Sequence, residues 1–70
     1  MKYSKEYKRL SIKLKETRIK SGLKQTTLAH KIGKSQSYIS KIEKNKLRID
    51  IFELKELSKL FKKDTHYFIG

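Results

Sequence analysis

Seventy residues with no cysteine and no proline, 36% of them apolar, suffice for one small core and exclude disulfides or a thiolate metal site. Nineteen Lys and Arg against seven Asp and Glu leave a net charge of +12, which attracts polyanions such as nucleic acid or an anionic membrane surface. No run approaches the ~20 apolar residues of a membrane helix and the opening MKYSKEYKRL has no signal-peptide-like apolar stretch, so the expected compartment is the cytoplasm.

The charge is unevenly spread. Residues 1–16 carry six basic and two acidic side chains, residues 17–48 nine basic and one acidic, and residues 49–70 four of each. The middle of the chain is the part expected to face a polyanion, while the lysines of the first third are open to a plainer reading as a solvated face. A chain this short is marginal unless it packs well or pairs, so dimerisation is expected.

Leu10 and Leu14, one turn apart, with Arg18 a further turn on, predict an amphipathic helix starting near Ser4 or Glu6, with residues 1–9 as its basic N-terminal extension. Gly22 suits the left-handed residue that ends it. Gln25 to Ile32 form a two-turn helix with Leu28, Ala29 and Ile32 on one face, and Gly33 closes it in the same way. Ser35 is the natural N-cap of the next, Gln36 to about Lys44, because its hydroxyl can accept from a free N–H of the first turn. Asp50 caps a fourth helix, in which Ile51, Leu54, Leu57, Leu60 and Phe61 recur at three- and four-residue intervals, and Asp64 caps a short turn THYFI. No useful stretch alternates apolar with polar, so the predicted class is all-α, five helices in one domain spanning 1–70.

Two short helices joined across a glycine, spanning 25–44, describe a helix-turn-helix. Ala29 is small where the pair crosses, Gly33 permits the sharp turn, and Leu28, Ile32, Ile39 and Ile42 pack the pair onto the first and fourth helices. Placing Ile39 and Ile42 inward at about 100° per residue turns Ser37, Ser40, Lys41 and Lys44 outward, with Gln36 at the helix start. Such a helix fits the major groove. Glutamine pairs bidentately with adenine, serine bonds several bases, and lysine favours guanine.

The run R-x-x-x-G-L-x-Q-x-x-L-A-x-x-x-G-x-S at Arg18 to Ser35, continued by QSYISKIE at Gln36 to Glu43, resembles the Cro/repressor-type helix-turn-helix (XRE) family. The likeness extends from about Leu10 to Ile69. It implies a five-helix, lambda-repressor-like fold that binds operator DNA as a dimer. It further implies base contacts at Gln36, Ser37 and Lys41, with Ser40 either a fourth or a spacer, and a phosphate anchor at Gln25. Lys24, Lys44, Lys46 and Arg48 match the region where family members meet the DNA backbone. Tyr38, on a flank, either braces a sugar-phosphate or thymine methyl or packs against the second helix. The resemblance also pairs Glu43, the only acid between Thr17 and Ile49, with Arg18 as a structural tie.

Several positions depart from the family pattern. Asn45 takes the place of the usual glycine after the third helix, Lys62 that of a glycine ending the fourth, and Ile49-Asp50 that of Pro-Ser. Thr17 replaces a usual aliphatic and thins the core, and Lys34 replaces a valine-like turn residue, so its stem must lie over the core with the amine outside. In the last turn Phe68 matches a core position. Tyr67 and Ile69 are expected at a two-fold interface, or else simply cover the core.

His30 and His66 are the only histidines, and no Ser-His-Asp grouping, carboxylate pair or glycine-rich phosphate loop is legible, so the chain is not expected to be an enzyme or to need a cofactor or metal. The expected partners are double-stranded DNA and a second copy, with no membrane and no small-molecule ligand. The function expected is a sequence-specific transcriptional regulator, repressor or controller protein, on the nucleoid. The competing reading is an antitoxin whose main partner is a protein, for which only residues 1–9 are spare.

Overall fold

A computed structural model describes residues 5–69 of the chain. These form five helices: α1 Lys5–Lys20, α2 Gln25–Lys31, α3 Gln36–Glu43, α4 Ile51–Leu60 and α5 Thr65–Ile69. The alternative start at Ser4, the basic extension before Lys5 and the terminal Gly70 lie outside the described residues.

Local rules set most of the boundaries. The Ser35 side chain accepts from the Tyr38 N–H at 3.2 Å, Asp50 Oδ1 from the Glu53 N–H at 2.8 Å, and Asp64 Oδ1 from the Tyr67 N–H at 3.1 Å. Each cap accepts from a first-turn backbone donor that has no intrahelical partner four residues back. At the other ends, Gly33 (φ 70°) lets the Lys34 N–H reach back to the Ala29 carbonyl at 2.8 Å, closing α2 and turning the chain into α3. Asn45 and Lys62 adopt the same left-handed conformation, each at φ 57°. Lys62 has neither glycine's freedom nor asparagine's tolerance, and its conformation costs roughly 1–2 kcal/mol. The helices α2 and α3 each stop one residue before the predicted end, Ile32 and Lys44 serving as C-caps.

The core comprises Leu10 and Leu14 from α1, Leu28 and Ala29 from α2, Ile39 and Ile42 from α3, Leu54 and Leu57 from α4, Phe68 from α5, and Ile49 from the loop before α4. Ile51, expected on the inner face of α4, is instead 48% exposed. It opens the helix beyond the edge of the core, and Ile49, on the other side of the Asp50 cap, fills the position there. Thr17 is buried with its hydroxyl donated to the Lys13 carbonyl at 2.7 Å, so the polar atom on the core side is satisfied within α1. In this arrangement α2 packs on α3, α1 on α3 and α5, and α4 on α5.

Candidate nucleic-acid interface

With Ile39 and Ile42 buried, the opposite side of α3 presents Ser37, Lys41 and Lys44 to solvent, and Gln36 stands exposed at its start. Ser40 is half-buried, so of the residues expected to read bases it is the most enclosed. Ser37 and Ser40 are the small side chains of this face, set among the longer Gln36, Lys41 and Lys44.

One flank of α3 carries a continuous polar chain. Arg18 donates from Nε to Glu43 Oε2 at 2.6 Å, from Nη2 to Oε1 at 3.1 Å, and from Nη1 to the carbonyl of Leu23 at 2.8 Å. The Glu43 side chain is only 4% exposed, so this bidentate pair is shielded from water and ties α1, the α1–α2 loop and the end of α3 together. Gln25 donates its amide to Glu43 Oε1 at 2.8 Å, and its own carbonyl accepts from Gln36 Nε2 at 2.6 Å. Gln25 is therefore held inside the protein's hydrogen-bond network, and through it the buried ion pair orients an exposed side chain at the start of α3. Gln36 and Glu43 are seven residues apart and so share one face of the helix, which explains how both reach Gln25.

The other flank is built around Tyr38, which is half-buried at the rim of the core. The Lys34 amine lies 5.1 Å from the centre of its ring and 3.0 Å from Glu53 Oε1. Burial first, then the charges of Glu53 and Asp50, push the Tyr38 phenol up to about 12. The Lys34 amine does lie outside the core, in a bond to α4.

Lys24, Lys46 and Arg48 are exposed around this face. Lys24 starts α2 without a side-chain cap, leaving the N–H groups of that first turn unbonded by it. Arg48 sets its guanidinium 5.4 Å from the centre of the Tyr7 ring on α1, which steadies an otherwise mobile side chain. Away from α3, Tyr67 is 36% and Ile69 54% exposed. The Tyr67 ring is flanked by Lys13 and Lys63 at 4.5 and 4.6 Å, and its phenol is lowered by a hydrogen bond with Thr17 and by the nearby lysines.

A helix-turn-helix family model matches residues 14–68, which span all five helices from the middle of α1 to α5. The chain belongs to the Cro/repressor-type (XRE) helix-turn-helix family. No curated protein and no solved structure matches it. As a helix-turn-helix protein it is a DNA-binding regulator in the broad sense, a family role that is not catalytic. Among the described residues no helix is long and apolar enough to cross a membrane. Within and around this helix-turn-helix, the Gln25–Gln36, Lys34–Glu53 and Arg48–Tyr7 contacts escape sequence reasoning, because each joins residues ten or more positions apart through the tertiary fold.

Proposed function

We propose that this protein is a sequence-specific transcriptional regulator, a repressor or controller protein, that binds a partly palindromic operator as a dimer with α3 in the major groove. The observation that carries the reading is the aimed glutamine. Gln36 gives one N–H to Gln25, which leaves its other N–H and its carbonyl to pair with the N7 and N6 of an adenine. Ser37, Lys41 and the half-buried Ser40 add further base contacts, but the outward groups on α3 are too few to bind tightly by themselves, so affinity rests on the phosphate backbone.

Lys24, Lys44, Lys46 and Arg48 supply that affinity, with Gln25 and Tyr38 closing the two sides of the contact surface. Residues 49–70 carry no net charge, and they hold the exposed Ile51, Phe52, Tyr67 and Ile69. Two copies of a +12 chain meet less repulsion there than across the basic residues 17–48, so we place the two-fold contact at α5, around Tyr67 and Ile69, with Lys13 and Lys63 at its edge. Such a dimer works on the nucleoid, in the cytoplasm.

Lys46→Ala separates affinity from reading. Its binding, measured against salt concentration, is expected to show a slope smaller by about one and an unchanged order of preference among operator variants. A changed base preference with the slope intact would remove Lys46 from the backbone contacts.

A further inference from the structure

The two flanks of α3 are held differently. On the Gln36 side a hydrogen-bond chain runs back to α1, whereas on the Tyr38 side the neighbouring helix is α4, which packs on α5 and not closely on α3. Lys34, in the turn, reaches from the start of α3 to the first turn of α4. Its Nζ is 3.0 Å from Glu53 Oε1 and 5.1 Å from the centre of the Tyr38 ring. Tyr38 is the residue whose N–H bonds the Ser35 cap of α3, and Glu53 the one whose N–H bonds the Asp50 cap of α4. Lys34 thus joins the first turns of two helices whose starts are already fixed by caps, and a link at such points has little slack.

We propose that Lys34 is a positioning residue for DNA recognition: held by Glu53 across the Tyr38 ring, it straps the recognition helix to α4 and makes no phosphate contact of its own. The proposal rests on α3 reading DNA as set out above. A lysine beside a reading helix would ordinarily count as a phosphate ligand. Here its charge already has a carboxylate partner, and a phosphate brought to this flank would meet both Glu53 and Asp50, whose charges are felt at the Tyr38 phenol. What the strap controls is roll. Side chains reach ~5–6 Å from a helix axis, so a roll of about 10° moves their tips by about 1 Å, enough to spoil a base contact that tolerates a few tenths of an ångström. With Gln36 tied on one flank and Tyr38 clamped on the other, α3 is held against roll in both directions.

Lys34→Met keeps the stem and removes the amine, and Glu53→Gln keeps the shape and removes the charge. Each is compared with the wild type for affinity to DNA selected by the wild type and to unrelated DNA, across salt concentrations. Either substitution is expected to lower the ratio of the two affinities by about fivefold, with no further loss in the double variant and recovery in Lys34→Arg. The salt slope of Lys34→Met should equal that of the wild type. A slope smaller by about one with the ratio intact makes Lys34 an ordinary phosphate contact and overturns the proposal. So does a ratio that stays at the wild-type value in both single variants, including one in which partial unfolding lowers both affinities together. Additive losses in the double variant also overturn it. If the wild type itself selects no sequence, the DNA reading beneath the strap fails, a result distinct from these.

Discussion

Arg18→Ala is expected to destabilise the fold by about 3–5 kcal/mol, and Glu43→Ala by a similar amount. The cost comes from the group left behind. Among the described residues, a carboxylate that is 4% exposed would keep only the Gln25 amide without Arg18, and the guanidinium only the Leu23 carbonyl without Glu43. A domain of this length has a total stability of roughly 4–10 kcal/mol, so either change consumes much of it. Urea unfolding of the two single variants checks the magnitude. The combined Arg18→Met and Glu43→Leu replacement should cost much less than the two alanine losses together, because no charge is stranded. A single-variant loss under about 1 kcal/mol would mean that the pair behaves like a solvated surface bridge.

Gln36→Ala should leave the unfolding midpoint nearly unchanged, since the side chain is exposed, yet remove about 1–3 kcal/mol of discrimination at one base pair in each half-site. Footprinting over operator variants reads this position by position. Uniform weakening across all sequences would end the base-reading role of Gln36. Gln25→Ala tests the aiming: it should blunt the same base preference, and the double variant should add little to Gln36→Ala, because Gln25 acts on the base only through Gln36. Gln25→Ala also withdraws a donor from Glu43, so it alone of the two should lower stability.

The fold was legible wherever one residue decides a local geometry. Ser35, Asp50 and Asp64 are caps by their hydroxyl or carboxylate, and Gly22 and Gly33 are left-handed because a side chain there is strained. The inner faces of α2 and α3 followed from spacing alone. Ile51 did not, because three- and four-residue spacing cannot show where a helix outruns the core, or that Ile49 in the preceding loop turns inward. The site was legible in residue types and only partly in contacts. Periodicity turns Ser37 and Lys41 outward, and the family resemblance pairs Arg18 with Glu43, but no spacing rule links Gln25 to Gln36 or Lys34 to Glu53. Those bonds exist only once α1, α2 and α4 have converged on α3.

Selection of DNA from a random pool by the wild-type protein tests the central claim most directly. The expected result is an enriched, partly palindromic sequence whose half-sites lie about one helical turn apart, 10–10.5 base pairs centre to centre. Enrichment of no sequence over random, with binding that depends only on salt, would contradict it.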